Sequence, residues 1–448
     1  MIDKNKNDIR NHKSILLTLL LMTVIIAGAI LITVPTTAEN NDQVINFADE
    51  NLEEYVRERL EIPEEQPITR ADVSEIEDMR ASFNEIESLE GIQHFENLRW
   101  LSLWGNEIED LTPLAELSGL NYLNLYNNEI EDISPLSSLE NLAWLGFINN
   151  EVSDISPLSN LEHLRTLDFR NNEVENIDAL EHMDYLEWLD FRNNRVSDIS
   201  SLAGKTELQW LDMRNNRVDD LSPLSELESL YHLCIWGNDI EDLTPLAGLE
   251  NLEHLSLSFN NINDISALEN LYELTYLDLS GNQVEDISAL ENLTSLQTLK
   301  LNQNEVRDIS PLYNVVDLEE LWLSNNLIEN IDPLENLTNL EILSFNANQV
   351  REISALADLE DLEKLRFSGN RVENIEALRG LGDLREIHMT SNKITDILPL
   401  VENYGLEAGT EIYMWENYLD LTQASSSSEH LDVLEERDFE IYYEPQFN

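Results

Sequence analysis

Basic residues are scarce in this chain. It carries 26 Lys+Arg against 89 Asp+Glu, a formal charge of -63 at pH 7. The imbalance excludes a nucleic-acid binder, because phosphate affinity is built on a basic stripe and none exists here. It also argues against docking on an anionic lipid surface. Cysteine is scarcer still: Cys234 is the single thiol, so no disulfide can form within one chain. The fold must therefore hold by apolar packing, and 42% of the residues are hydrophobic. A Gly-rich phosphate loop, an HExxH motif and a GxSxG motif are all missing. Nothing in the chain assigns a catalytic residue, and the expectation is that it is not an enzyme.

Hydrophobic runs are missing too, with one exception. Lys4, Lys6, Arg10 and Lys13 precede an uncharged run from Ile15 to Val34, and Pro35-Thr36-Thr37-Ala38 follows. A basic flank, an apolar stretch and small residues read as a signal peptide over residues 1–38, cut after Ala38. The alternative is an uncleaved anchor, since a run of about twenty residues can just span a bilayer. Either reading places the rest of the chain outside the cytoplasm, secreted or on the cell surface, with membrane contact only through an uncleaved segment.

What the chain has in abundance is a period. An asparagine returns every 22 residues, fifteen times, from Asn84 through Asn106, Asn128 and Asn150 to Asn392. Around each sits one phrase, as in Leu98-x-x-Leu101-x-Leu103-x-x-Asn106-x-Ile108. A fixed period of this kind is a leucine-rich repeat, one strand and one turn per coil of a solenoid. Alternate leucines point inward from a short strand, and the asparagine amide serves backbone groups that the strand ladder leaves unpaired. The second half of the phrase recurs as Asp132-Ile133-Ser134-Pro135-Leu136 and Asp308-Ile309-Ser310-Pro311-Leu312. Ser or Thr before Pro or Ala predicts an N-cap with Pro at the first helical position. The predicted fold is thus an α/β solenoid. It has a parallel concave β-sheet, single 3₁₀ or α turns on the convex side, and a cap at each end. Residues 39–79 read as a helical N-terminal cap, with helix over Asn51–Leu60 and a second start at Thr69 or Asp72. Residues 80–396 read as the repeats. Residues 397–448 read as the C-terminal cap, with helix over Glu429–Arg437 and a last strand around Phe439–Tyr443.

The phrase L-x-x-L-x-x-L-x-L-x-x-N-x-I with D-I-S-P-L resembles the bacterial internalin type of repeat. Phe47-Ala48-Asp49-Glu50-Asn51-Leu52 and Ile68-Thr69-Arg70-Ala71-Asp72 are similar to that group's N-terminal cap. Gly405-Leu406-x-x-Gly409-Thr410 with Asn417-x-Leu419 resembles the closing cap of secreted bacterial repeat proteins. The resemblance covers about residues 44–443. It implies a scaffold that holds a protein partner on its concave sheet, although such scaffolds bind varied ligands. An LPxTG wall-anchoring motif, common in that group, is absent here.

In each strand x-L-x-L-x, the x positions face the concave side. All eight tryptophans fall there, including Trp100, Trp104, Trp144, Trp188, Trp210 and Trp236. Tyr122, Tyr126, His232, His254 and Tyr276 join them. The first column reads Trp100, Tyr122, Trp144, Thr166, Trp188, Trp210, His232, His254, Tyr276. With strands about 4.8 Å apart, these residues predict a continuous, exposed aromatic track of the kind that marks binding. Cross-strand stacking that only stabilises the sheet is the alternative. Beside the track, Asp168, Asp190 and Asp212 stack in one column and Arg170, Arg192 and Arg214 in the next. With Arg195 and Arg217 they suggest an island of positive charge, or else pairs that neutralise each other.

Asp212, His232, Cys234 and His254 form a cluster able to ligate zinc or make a Cys–His pair. The sheet is expected to leave that cluster open to water, so ordinary concave-face residues are the preferred reading. Acidic pairs such as Glu109-Asp110, Glu131-Asp132 and Glu241-Asp242 recur at the turn into the convex side. They read as helix N-terminal carboxylates in preference to a Ca²⁺ ladder. No metal or cofactor is therefore assigned. The expected partner is an extracellular or cell-surface protein, with a polysaccharide or a charge-driven structural surface role as alternatives. The expected state is a monomer.

Overall fold

The computed structural model describes residues 43–422 and 425–447. The expected signal segment, residues 1–38, lies outside the described residues.

The chain enters through a helix, Glu50–Leu60, whose buried face is Leu52 and Val56. Asp49 caps it, accepting from the Leu52 N–H at 2.9 Å. The other carboxylate oxygen of Asp49 takes the Glu87 N–H at 2.7 Å, tying the helix to the first coil. A one-turn helix, Arg70–Val73, follows. Both residues proposed to start it take part: the Asp72 carboxylate accepts from the backbone N–H and the hydroxyl of Thr69 at 2.7 and 2.6 Å.

Among the described residues, seventeen three-residue strands make one sheet, from Asp78–Arg80 to Glu440–Tyr442. Every strand pairs in parallel with the next in sequence, Trp100 opposite Tyr122 and Tyr122 opposite Trp144. That offset is the repeat length, so equivalent residues line up in columns across the sheet. The offset widens only at the end, where Glu386 pairs with Glu411 and Glu411 with Glu440. The last strand is backed by a helix, Ser426–Glu436, with Ser425 as its cap.

The asparagine does what its position demands. Asn150 donates through Nδ2 to the carbonyls of Phe147 in its own coil and Leu125 in the previous one, each at 3.0 Å. Its Oδ1 accepts from the Ile130 N–H at 3.1 Å. A buried backbone group left unpaired costs about 1–3 kcal/mol, so each asparagine offsets several such penalties at once. Within the coil, leucines fill the interior, relieved by stacked phenylalanines Phe147, Phe169 and Phe191 at 5.7 Å spacing. Fully burying one such side chain contributes roughly 1.5–3 kcal/mol, and every coil buries several.

The convex turns differ from expectation in one respect. The 3₁₀ turn Ser134–Ser138 begins at the serine itself, and that serine caps nothing. The cap is Asp132, whose Oδ1 accepts the Ser134 N–H at 2.8 Å. The same bond recurs from Asp110 to Thr112, Asp154 to Ser156 and Asp264 to Ser266. An aspartate bonds the backbone two residues on more readily than a serine does, and the turn is too short to need a second cap. Hydrogen bonds from the hydroxyl and backbone of Thr112 hold the Asp110 carboxyl below the usual range, and those from the backbone and hydroxyl of Ser156 and Ser266 do the same for Asp154 and Asp264. Among the described residues, no helix is long and apolar enough to cross a membrane.

Candidate functional site on the sheet face

Alternation along each strand sends the first residue outward, and the parallel register stacks those residues into a column. Trp100 lies on Tyr122 with ring centroids 4.4 Å apart, and Tyr122 on Trp144 at 4.2 Å. A second run stacks Trp188 on Trp210 at 6.3 Å, His232 on His254 at 4.2 Å and His254 on Tyr276 at 4.2 Å, with His232 parallel to Trp210. The expected continuous track is therefore two runs. Thr166, paired with both Trp144 and Trp188, carries no ring and parts them. A cation closes each outer end: the Arg80 guanidinium sits 4.8 Å from the Trp100 ring and Lys300 Nζ 5.1 Å from the Tyr276 ring.

Exposure is lower than expected as well. Of the tryptophans, Trp104 is exposed, and the seven others are half-buried. Rings stacked face to face hide each other and present their edges. The indole N–H of Trp210 is buried and meets no acceptor among the described residues. Trp104 packs on Phe83 at 4.7 Å, and Trp236 meets the edge of Phe259 at 6.4 Å, both at the turn end of their strands.

The aspartate and arginine columns interlock into one chain of ion pairs. Arg170 bridges Asp168 and Asp190, each at 3.4 Å. Arg192 bridges Asp190 at 3.5 Å and Asp212 at 3.2 Å, and Arg214 closes on Asp212. With their carboxyls ionised the three aspartates balance the three arginines, the second of the two readings left open by the sequence. Arg195 is likewise spent, on Glu173 at 3.2 Å. Because Asp168 and Asp190 are buried and the arginines only half-buried, dehydration dominates the acidity of these two carboxyls. Burial lifts Asp168 to about 6 and Asp190 well above its ordinary value, helped in Asp190 by the carboxylates of Asp212 and Asp168.

Tyr126 is held in a way the sequence reading did not anticipate. Its hydroxyl donates to Asp168 at 3.0 Å, two strands away. The strand between them carries Gly146 at the outward position, and the Tyr126 and Trp144 rings close over it. A glycine where every neighbouring coil has a side chain was the available signal.

The His–Cys cluster also departs from expectation, since it is not open to water. His232 is 7% exposed and Cys234 4%. Cys234 Sγ lies 3.2 Å from His232 Nε2 and 3.8 Å from His254 Nδ1. Asp212 is turned away, its oxygens taken by Arg214 Nε at 2.8 and 3.0 Å. Burial lowers His232 to about 2 and His254 to about 4, so both imidazoles are neutral at neutral pH. The same burial raises the Cys234 thiol, which is therefore no activated nucleophile.

The repeats of this sheet match the family model for Leucine Rich repeats (2 copies) over residues 96–138, 140–182, 186–226, 206–248, 228–270, 250–292, 272–314 and 316–358. A solved internalin from Listeria monocytogenes (inlF) is 34% identical and superposes with a TM-score of 0.70, covering 73% of this chain and 98% of that one. This chain is an internalin-like leucine-rich repeat protein. Fold alone is shared more widely. A second Listeria protein, InlJ, whose functional domain includes a cysteine ladder, is 20% identical with a TM-score of 0.62, covering 85% of this chain and 84% of that one. A plant peptide hormone receptor, RGFR1 in complex with RGF2, is 20% identical with a TM-score of 0.68, covering 79% of this chain and 60% of that one. Among curated proteins, none matches this chain. The internalin-like repeat here has no cysteine ladder of its own, because Cys234 stands alone.

Proposed function

We propose that this leucine-rich repeat protein works outside the cytoplasm and holds a protein partner on the aromatic and arginine-lined sheet face. The observation that carries the reading is the second ring run, Trp188 to Tyr276, lying directly beside the Asp168–Arg214 ion-pair chain. Tryptophan and arginine together are the residue types that dominate protein interfaces, because they offer large, rigid, directional contact. The hormone-bound plant receptor and the Listeria internalin have the same fold, which makes a protein ligand the natural class. A polysaccharide is the weaker fit, since sugars stack on free ring faces and these faces cover one another. The extracytoplasmic location rests on the basic-then-apolar segment before residue 39.

The test is capture of envelope and culture-fluid proteins on the full immobilised chain, beside the Trp188→Ala/Trp210→Ala double variant. Circular dichroism of the variant checks that it keeps its fold. A partner held by the wild type and lost by the folded variant supports the reading. Equal capture by both removes the aromatic face as the site and turns attention to the acidic convex side.

A further inference from the structure

We propose that His232, Cys234 and His254 form a site for a borderline-soft divalent transition metal of the zinc type. The inference is independent of the partner reading and stands on donor chemistry and geometry. His232 and Cys234 are two residues apart on one strand, so alternation puts both on the same face. The register then places His254 directly beside His232. The three donor atoms lie within 4.8 Å of one another. Zinc takes thiolate at about 2.3 Å and imidazole at about 2.0–2.1 Å, so adjacent donors of a tetrahedral site stand roughly 3.5 Å apart. The separations from Cys234 Sγ, 3.2 Å to His232 Nε2 and 3.8 Å to His254 Nδ1, bracket that spacing.

The donors are also held in place. His232 is sandwiched between the Trp210 indole and the His254 ring, and His254 is backed by Tyr276. Stacked rings cannot rotate freely, so two imidazoles arrive already aimed at the sulfur. The burial that stacking produces removes the objection that this shallow sheet leaves the cluster in water. One thiolate and two imidazoles select zinc-like ions over Ca²⁺ or Mg²⁺, which seek oxygen. The chain's many carboxylates have the opposite preference, and Cys234 is its single thiol. On binding, the metal–sulfur bond replaces the S–H bond and one proton leaves to solvent. Three protein donors leave a fourth position for water.

Cobalt(II) tests this, because a cobalt–thiolate bond gives a near-ultraviolet charge-transfer band that carboxylates cannot produce. The full chain is titrated with Co²⁺ in excess Ca²⁺, which occupies the acidic surface, and then with Zn²⁺. The expected result is one equivalent of Co²⁺ with the band, and its loss when Zn²⁺ is added. Cys234→Ser abolishes the band. His254→Phe keeps the ring stack while deleting one donor, and weakens cobalt binding roughly tenfold or more. Absence of the band in the wild type, or full affinity in folded His254→Phe, overturns the site.

Discussion

The Tyr126 hydroxyl reaches across two strands to the Asp168 carboxylate, 3.0 Å away, over a glycine at position 146. One missing side chain thus joins the first ring run to the ion-pair chain. The three residues sit on successive coils, and none is adjacent in sequence. Their relationship makes the N-terminal half of the sheet face one connected structure.

Gly146→Ala measures what that connection contributes. A Cβ there would overlap the Tyr126 ring and come within 2.7 Å of Trp144 Cη2, so both rings must move. Overpacking of this kind costs about 1–3 kcal/mol. The expected outcome is a lower urea midpoint together with a changed near-ultraviolet dichroism from Trp144. Gly248→Ala is the control, because nothing lies within 4 Å of its added Cβ. Equal midpoints for the two variants would show that the rings yield at no cost.

Acidity tests the ion-pair chain. The folded Asp168 titrates near 6, above its ordinary value of 3.8, because it is dehydrated. Between those values the folded chain holds a proton that the unfolded chain has lost. Its contribution to stability is therefore complete below about pH 4 and disappears as pH rises through about 6. Asn at this position cannot titrate. The stability of the wild type relative to Asp168→Asn should accordingly fall from pH 4 to pH 7, while general repulsion among surface carboxylates cancels in the difference. Urea unfolding of both proteins across that range checks it, and a difference independent of pH would refute the assignment.

Much of this architecture is legible from residue order. The repeat of Asn84 to Asn392 dictates strand spacing, the direction of Leu101 and Leu103, and the columns into which Trp100 and Tyr122 fall. What residue order hides is the outcome of competition between side chains. Arg170 beside Asp168 reads equally as free charge or as a pair, and the burial of Asp168 decides for the pair. Asp132 and Ser134 are both capping residue types, and only the tightness of the turn selects the aspartate. A second asparagine row is equally hidden. Asn171 donates to Asn149, Asn193 to Asn171 and Asn215 to Asn193, at 2.5 to 2.6 Å along the sheet edge. Their backbones are left-handed, with φ of 53–57° from Asn149 to Asn215, and asparagine tolerates that conformation better than most residues. The doubled Asn-Asn of these coils was visible, but only its second member follows the general repeat pattern.

Lys205 contradicts its surroundings. Leu139, Leu161, Met183, Leu227 and Leu249 occupy one interior position in successive coils, and in this row Lys205 takes the place between Met183 and Leu227. Lys205 is 1% exposed. Its Nζ donates to the Glu181 carbonyl at 3.2 Å and lies 3.9 Å from Asp184, whose side chain is largely in solvent. One carbonyl and a distant, hydrated carboxylate compensate poorly for a buried ammonium, and burial lowers the Lys205 pKa. Replacing a poorly paired buried charge with a leucine that fits the coil should stabilise the fold by about 1–3 kcal/mol. Lys205→Leu is therefore expected to raise the urea midpoint at pH 7. The sign of the pH dependence follows from the lowered pKa. The unfolded chain holds the proton more tightly, so the penalty in the wild type fades as the lysine deprotonates. The advantage of Lys205→Leu should shrink as pH approaches 10. A destabilised variant at pH 7 would mean that the contact to Glu181 outweighs the cost of burying the charge.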